Sequence, residues 1–322
     1  MILQFLKDDP LIAFGPVPSR RLGYSLGINH IPTKNCSYDC VYCQVGRTSK
    51  LGIKRKDFYS IDQILFAVDE KISESEKAGR EIDFLTLVPE GEPSLDIRLG
   101  ELIRGLNRFQ IPVAVISNAS LIDHEEVQED LLLADWVSLK IDSVAESEWH
   151  RINRPFRTLS LPSILSGILK FRHQYLGELV TETMLVGGIN DSDSSIIRLC
   201  KFLTEMIPLK SYLSIPIRPP AETWVSPPDG ERLESIFAIL DSQKVTMDFL
   251  CDPENEDFVA TGNISEEILG ITAVHPLREV AVQKMIAAAN ADWSIVDELL
   301  GSRRLSRIDY QGESFYVRRN PN

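Results

Sequence analysis

Three of the chain's five cysteines lie within eight residues, in the segment "KNCSYDCVYCQ" at residues 34–44. Cys36, Cys40 and Cys43 form the spacing C-x3-C-x2-C. Thiolates bind zinc or iron–sulfur clusters, and a structural zinc site usually has four ligands. The nearest candidate for a fourth ligand is His30, just before the cysteines. No C-x2-C or H-x3-H pair follows in the sequence. The three cysteines could serve a metal, a redox relay or neither, and the missing fourth ligand favours a metal site with an open position.

Composition places the chain among ordinary globular proteins, with 43% hydrophobic and 25% charged residues in 322. The net charge of −13 argues against non-specific coating of DNA, although a local basic patch could hold a phosphate or a folded RNA. We expect neither a signal peptide nor a membrane span, because no apolar stretch reaches about 18 residues. We therefore expect a cytoplasmic protein with reduced thiols, in which Cys200 and Cys251 are small apolar side chains.

Strand-like and helix-like segments alternate from residue 24 to about residue 250. The expected strands are 24–29, 84–88, 113–118, 136–142, 179–186 and 211–217, with a seventh candidate at 245–250. This α/β alternation predicts βαβ units and a parallel sheet. We expect a partial (β/α)6 TIM-type barrel, with functional residues at the carboxyl ends of its strands. A doubly wound open sheet is the alternative.

The pattern changes after residue 262. Three helix-like segments precede two alternating strands around the two-residue turn Gln311-Gly312. Three helices followed by a hairpin is the order of a winged-helix module. We therefore divide the chain into a barrel at 1–262 and a small winged-helix-like C-terminal domain at 263–322.

The cysteine segment resembles the signature of the radical S-adenosylmethionine (SAM) superfamily, C-x3-C-x-aromatic-C, with Tyr42 as the aromatic residue. The resemblance implies a [4Fe–4S] cluster held by Cys36, Cys40 and Cys43, with a fourth iron free to chelate SAM. It implies an enzyme that cleaves SAM reductively and uses the 5′-deoxyadenosyl radical to take hydrogen from a substrate. A reductant such as flavodoxin or ferredoxin is implied as a partner. The alternative is a zinc knuckle or incidental cysteines.

The segment "PEGEPS" ends the second expected strand and resembles the superfamily's glycine–glutamate motif. That motif receives the amino group of SAM through backbone carbonyls and a carboxylate. The match rests on Gly91 and Glu92, because Pro89 and Glu90 replace the commoner small residues. Glycine permits close backbone approach, and a carboxylate accepts bonds from an ammonium group. A turn rich in turn-forming residues is the alternative.

Polar residues also end the third and fourth expected strands. Ser117 and Asn118 could bond the ribose or carboxylate of SAM, as they could in any polar strand end. Lys140 and Asp142 lie on the same side of one strand, where a lysine suits the carboxylate of SAM or a substrate anion. A salt bridge at the rim is the alternative for this pair.

The longer segments "GPVPSRRLGYSLGIN", "SIPIRPPAETW" and "ITAVHPLREVAV" resemble a group of stand-alone radical SAM proteins described as Fe–S oxidoreductases. This group is loosely associated with wyosine-synthesis enzymes, and the resemblance covers most of residues 13–285. Arg20, Arg21 and Arg218 are candidates for binding an anionic substrate, since the arginine fork matches carboxylate or phosphate. Ordinary salt bridging at the barrel ends is the alternative.

The substrate stays open between three classes. A small metabolite or nucleotide is one, and a protein to be activated or modified is another. RNA is the third, because residues 303–322 hold five arginines against two acidic residues. An alternative of a different class is a metal-cluster regulator that uses the winged helix on DNA. The "PEGEPS" segment and the barrel pattern count against that alternative, and winged helices are also often protein–protein modules.

Overall fold

The computed structural model describes residues 11–32, 34–250, 258 and 263–319. The strands are β1 Ala13–Ser19, β2 Gly23–Ile28, β3 Asn35–Cys36, β4 Lys50–Leu51, β5 Phe84–Leu87, β6 Val113–Ser117, β7 Trp136–Lys140, β8 Glu178–Met184, β9 Lys210–Ser214, β10 Asp248–Leu250, β11 Leu277–Arg278, β12 Leu305–Tyr310 and β13 Glu313–Arg318. The helices are α1 Ile61–Lys77, α2 Leu99–Leu106, α3 Glu125–Leu131, α4 Glu146–Asn153, α5 Leu161–Gln174, α6 Asp193–Met206, α7 Gly230–Ser242, α8 Ile264–Val274, α9 Glu279–Ala288 and α10 Ser294–Gly301.

Eight strands form one sheet in the order β1-β2-β5-β6-β7-β8-β9-β10. The seven strands from β2 to β10 are parallel, and β1 is antiparallel to β2. Because β1 and β10 are edges, the sheet curls without closing, which confirms the partial TIM-type barrel. The seventh candidate strand is present as β10. The parallel strands end at one edge of the sheet, and there β2 leads into the cysteine segment.

Helices cover the outer face of the sheet, and α1 shows why they form. Ser60 caps its amino end, since the hydroxyl accepts from the backbone N–H of Gln63 at 3.2 Å and the Gln63 side chain accepts from the backbone N–H of Ser60 at 3.1 Å. This reciprocal cap contributes about 1 kcal/mol. Ile64, Leu65 and Val68 then follow at helical spacing and are buried in the main core. The start of α1 is therefore explained by its own sequence, through the capping box of Ser60 and Gln63 and the apolar residues that follow.

The inside of the barrel is apolar at the amino ends of the strands and polar toward their carboxyl ends. The apolar layer consists of Leu22, Ala114, Trp136, Val180, Tyr212 and Leu250. Side chains two positions apart share a face of a strand, so the residues after this layer point into the same interior. These include Lys140 on β7 and Glu182 on β8, which are paired neighbours in the sheet. The interior of the barrel is therefore closed by an apolar layer at one end and lined by polar side chains toward the carboxyl ends of the strands.

The C-terminal elements form a small unit around a second apolar cluster. Strand β11 pairs with β13, so the predicted hairpin is part of a three-stranded sheet in the order β11-β13-β12. Gln311 and Gly312 both have positive φ, as a two-residue type I′ turn requires, and they join paired residues Tyr310 and Glu313. The expected helices and hairpin are present. The second of the three expected helices, "HPLREVAVQKMIAAAN" at residues 275–290, is only partly helical, because the short strand β11 precedes α9.

The C-terminal unit packs directly against the barrel. Phe14 of β1 belongs to the apolar cluster of the C-terminal helices. Lys71 of α1 pairs with the buried carboxylate of Glu267 at 2.5 Å. The side chain of Gln44, next to the third cysteine, donates to the carbonyl of Val274 at 2.8 Å. The barrel and the unit therefore share an interface. The boundary at residue 262 lies outside the described residues and stays a prediction.

Cys200 is buried on α6 as a free thiol in an apolar cluster with Leu185 and Ile196, as expected. Cys251 lies outside the described residues. Within the described parts of the chain, no helix combines the length and the apolar character needed to cross a membrane.

Candidate functional site

The three clustered cysteines lie in the loop that follows β2, at the carboxyl edge of the sheet. Cys36 is part of the short strand β3, which pairs with β4. The next part of the loop is held against the end of α4, where the backbone N–H of Asp39 donates to the carbonyl of Asn153 and that of Val41 to the carbonyl of Ile152, both at 2.9 Å. The backbone of the loop is therefore fixed on both sides of Cys40.

Each of the three thiols accepts a hydrogen bond from a side-chain N–H group. Such donors stabilise the negative charge of a thiolate ligand and tune iron–sulfur sites. The pairs are Lys34 Nζ with Cys43 Sγ at 3.3 Å, Asn153 Nδ2 with Cys40 Sγ at 3.4 Å and Asn118 Nδ2 with Cys36 Sγ at 3.5 Å. The donors come from three different segments of the chain, so the three thiols receive these hydrogen bonds only when the chain is folded.

Burial raises the pKa of Cys36 to about 12, with a further contribution from the charge of Glu92. Burial and Asp142 also raise the pKa of Cys40 well above its ordinary value. A raised pKa favours the neutral thiol at these two positions, and a metal or cluster bound there would favour the thiolate.

The described residues contain no group of three or more His, Cys, Asp or Glu side chains gathered for one metal ion. In an iron–sulfur cluster each thiolate binds a different iron, so the ligands need not converge on one point. Three thiols, each with an N–H donor, fit such a cluster.

Gly91 lies against the backbone of β3. A Cβ atom at this position would come within 1.8 Å of the carbonyl oxygen of Asn35, the residue before Cys36. The backbone N–H of Glu92 donates to the same carbonyl at 3.1 Å. A close approach is expected at this glycine, and the approaching group is the backbone beside the first cysteine.

Glu92 is buried and its carboxylate connects the ends of β5 and β6. It accepts from the backbone N–H and the hydroxyl of Ser94 at 3.0 and 2.7 Å, from the Ser117 hydroxyl at 2.6 Å and from the Asn118 backbone N–H at 2.7 Å. Burial raises the pKa of Glu92 above its ordinary value, although these bonds act in the opposite direction. The carboxylate thus holds Asn118 in place beside Cys36.

Tyr42, Lys140 and Asp142 form a second group at the same edge. The Tyr42 hydroxyl donates to Asp142, whose carboxylate also accepts from the Asn153 side chain at 2.7 Å and from the Met184 backbone N–H at 2.9 Å. The ammonium of Lys140 lies 4.9 Å from the centre of the Tyr42 ring, within range of a cation–π interaction. The structure therefore brings the aromatic residue of the cysteine segment together with the expected charged pair.

Glu182 is a residue of the site that the sequence analysis missed. Its carboxylate pairs with Arg21 and with Lys140, the latter at 3.2 Å, and accepts from the Ser214 hydroxyl at 3.2 Å. Burial would raise the pKa of Glu182, but the two cations lower it well below its ordinary value. Burial would likewise lower the pKa of Lys140, but Glu182 and Asp142 raise it. All three paired groups are therefore charged inside the barrel.

The three arginines expected to bind substrate lie in different surroundings. Arg20 is exposed in the turn between β1 and β2, at the sheet edge opposite the cysteines. Arg21 lies in the barrel interior with Glu182. Arg218 follows β9 and donates to the side chain of Gln44 at 3.1 Å, beside the cysteine segment. Arg20 and Arg21 belong to the turn before β2, at the amino ends of the parallel strands, so the structure brings only Arg218 of the three to the carboxyl edge.

Comparison with known proteins decides the family. Residues 30–203 match the model of the Radical SAM superfamily. UPF0026 protein MJ1312 of Methanocaldococcus jannaschii is 46% identical over 309 residues, which are 95% of this chain and 96% of that protein. The chain is a UPF0026 member of the radical SAM superfamily. Membership confirms the resemblance seen in the cysteine segment and implies a [4Fe–4S] cluster and SAM.

Two solved structures share the fold of this radical SAM protein. A radical SAM methyltransferase from Sphaerobacter thermophilus is 15% identical, with a TM-score of 0.52 over 70% of this chain and 66% of the other. Streptococcus suis SuiB bound to precursor peptide SuiA is 11% identical, with a TM-score of 0.52 over 69% of this chain and 48% of the other. Identities this low show the fold alone. Family membership makes the radical SAM protein an enzyme, rather than the regulator considered as an alternative.

Replacing Glu182 with glutamine is expected to lower the free energy of unfolding of this radical SAM enzyme by about 3–5 kcal/mol. The change leaves Arg21 and Lys140 as two largely but not fully buried cations without their shared carboxylate. Because the folded-state pKa of Glu182 is lowered, its contribution is present above the ordinary carboxyl pKa and is lost as the pH falls below about 4. Urea unfolding at several pH values measures both effects, and the variant should show a smaller loss in acid.

The matched control is Asp248→Asn, which removes an exposed carboxylate paired with Lys210 at 2.5 Å. Water screens this pair, so we expect little change in stability. Equal losses for the two variants would show that burial does not set the strength of the Glu182 pairs.

Proposed function

We propose that this radical SAM enzyme binds a [4Fe–4S] cluster through Cys36, Cys40 and Cys43 and cleaves SAM reductively. The supporting observation is that three fixed thiols, each with its own N–H donor, lie where β2 ends. A bound cluster would supply one electron that breaks a carbon–sulfur bond of SAM, and the 5′-deoxyadenosyl radical would then take hydrogen from the substrate. The protein orients the reactants and excludes water and stray donors.

The SAM site that we propose lies at the carboxyl ends of β5, β6 and β7. Gly91 and Ser117 would face SAM there, with Asn118 held by Glu92 beside the first cysteine. Lys140 keeps its positive charge and suits a carboxylate.

Tyr42 and Asp142 would complete this site by fixing its wall, since their mutual hydrogen bond joins the cysteine loop to the end of β7. Asp142 also accepts from Asn153, the donor to Cys40. These hydrogen bonds would therefore keep Lys140, Asp142 and the cysteine loop in the same relative positions when SAM binds.

We further propose that residues 263–322 are a winged-helix module. Its elements follow one another as helix, strand, helix, helix, strand and strand, the order typical of that fold. The module would help to bind substrate, because the side chain of Gln44 joins it to the cysteine loop.

A small metabolite or nucleotide is the substrate class we favour, and RNA is the second candidate because of the five arginines after residue 302. We propose a cytoplasmic location and a flavodoxin or ferredoxin as the electron donor.

Anaerobic reconstitution followed by SAM turnover tests this function. We expect the purified enzyme with a chemical reductant to form 5′-deoxyadenosine and methionine from SAM. Deuterated cell extract, separated into small metabolites, RNA and protein, is then added in turn. We expect deuterium to enter 5′-deoxyadenosine from the small-metabolite fraction. A preparation with a full complement of iron and sulfide that does not cleave SAM would contradict the proposal.

A further inference from the structure

Lys34 differs from the other two side chains that donate to the clustered thiols. Asn118 and Asn153 donate through neutral amides, whereas the donor to Cys43 is an ammonium group at 3.3 Å. Hydrogen bonds that involve an ionised group are roughly twice as strong as those between neutral groups. One of the three thiols therefore has a charged donor, and the other two have neutral donors.

Two segments of the chain fix the backbone of Lys34. Its φ of +57° lies in the left-handed region, which is uncommon for residues other than glycine. Its N–H donates to the carbonyl of Glu90 in the segment "PEGEPS" at 3.2 Å, and its carbonyl accepts from the N–H of Lys50 on β4 at 3.0 Å. The side chain therefore reaches Cys43 from a backbone that is held on both sides.

The Lys34 side chain is buried, with 6% of the residue exposed. A buried cation is costly unless an opposite charge and hydrogen-bond acceptors compensate it. Within the described parts of the chain, its ammonium forms no ion pair with a carboxylate, and its acceptor is the Cys43 sulfur. A thiolate that binds iron carries the negative charge that a thiol lacks. The surroundings of Lys34 therefore suit a Cys43 that is a cluster ligand.

The other charged groups near the thiols are two carboxylates and one lysine. Burial and the charges of Glu92 and Asp142 raise the pKa values of the first two thiols. Lys34 lowers the pKa of the first thiol, against burial and Glu92. Lys140 is paired with Glu182 at 3.2 Å. Lys34 is therefore the cation that opposes the two carboxylates at the cysteine loop.

We propose that Lys34 raises the reduction potential of the cluster held by the three cysteines and so makes it easier to reduce. Reduction adds one negative charge, and a fixed positive charge beside a ligand sulfur stabilises the reduced form more than the oxidised form. The electron comes from the flavodoxin or ferredoxin proposed above, and no bond forms or breaks in this step. The cluster itself rests on the proposed function, whereas the contact of Lys34 with Cys43 is part of the structure.

Redox titration of the reconstituted full-length protein without SAM tests this inference. Electron paramagnetic resonance measures the fraction of reduced cluster at controlled potentials. Lys34→Met keeps an unbranched side chain without the charge. We expect it to shift the equilibrium at least about tenfold toward the oxidised cluster, which is about 59 mV for one electron. Lys34→Arg keeps the charge and should stay within about threefold of the unsubstituted protein.

Lys50→Met is the matched control, because it removes the same charge from an exposed position on the adjacent strand β4. Its backbone N–H, which bonds to Lys34, is retained. Water and salt screen an exposed charge, so we expect a shift of less than about twofold. The inference is overturned if Lys34→Met titrates like Lys50→Met, or if Lys34→Arg shifts as far as Lys34→Met.

Iron and sulfide analysis and thermal unfolding show whether each variant is loaded and folded. If Lys34→Met loads too little cluster, Lys34→Gln takes its place in the titration, since its amide is a neutral donor. If neither uncharged variant loads a cluster, the lysine serves cluster assembly instead of the potential, and the inference is overturned.

The same preparations are assayed for SAM cleavage, which separates this inference from the proposed function. Cleavage by a protein whose cluster potential does not depend on Lys34 would contradict this inference alone. A potential that depends on Lys34, in a protein that does not cleave SAM, would contradict the proposed function alone.

Discussion

Replacing Cys40 with alanine is expected to abolish the formation of 5′-deoxyadenosine from SAM. The loop around Cys40 is fixed to α4 by backbone bonds, so no neighbouring thiol can move into its place. The Asn153 amide that donates to the Cys40 sulfur would also lose its acceptor. Losing a ligand should cost more than the roughly 100-fold upper range for losing an outer-shell partner. Iron and sulfide analysis and product chromatography after anaerobic reconstitution measure the effect.

Cys200→Ala is the matched control, because it also removes one free thiol from the chain. Cys200 is buried on α6 among apolar side chains, away from the cysteine loop. We expect a loss of about 1 kcal/mol in stability and unchanged iron content and SAM cleavage. A Cys40→Ala protein that binds iron and cleaves SAM like the control would refute the assignment of the cluster ligands.

The parallel strands could be predicted because a strand buried on both faces is a short run of apolar residues. Strand β1 was missed for a physical reason. Its sequence "AFGPVPS" contains a glycine and two prolines, which are typical of loops. Proline is tolerated at the edge of a sheet, and β1 is an edge strand with an irregularity in pairing between Phe14 and Val17. Strand β1 also packs against the C-terminal helices, which are distant from it in sequence and therefore gave no local signal for the strand.

Some residues of the candidate site belong to one short sequence motif, whereas others come from segments that are far apart in the sequence. Cys36, Cys40 and Cys43 form a local motif, so an open metal site could be predicted from their spacing, and the resemblance to the radical SAM signature then implied the cluster. The donor Asn153 and the carboxylate of Glu182 reach the site only through the fold, from α4 and β8. Glu182 did leave a signal, because a charge within the buried segment "LVTETMLV" needs a partner. Its partners on β7 and in the turn before β2 could not be inferred from that segment.

Gly91→Ala is expected to destabilise the protein by about 3 kcal/mol and to reduce cluster incorporation strongly. The new methyl group would lie 1.8 Å from the carbonyl oxygen of Asn35, which is backbone and cannot rotate away. Overpacking that forces backbone shifts usually costs about 1–3 kcal/mol, and this contact is at the severe end. The displaced backbone belongs to β3, which carries Cys36. The expected result is therefore a combined loss of stability and iron content, measured by thermal unfolding and iron analysis.

Gly52→Ala separates the clash from a general effect of replacing a glycine. Gly52 also contacts this strand, since its backbone N–H donates to the Cys36 carbonyl at 3.0 Å. A Cβ atom at Gly52 would have no atom within 4 Å, and alanine retains the N–H group. We expect Gly52→Ala to leave stability and iron content unchanged. If Gly91→Ala behaves like this control, the close packing of "PEGEPS" against β3 does not hold the first cysteine in place. A loss confined to Gly91→Ala would instead mean that this glycine is needed for the cluster loop before any SAM binds.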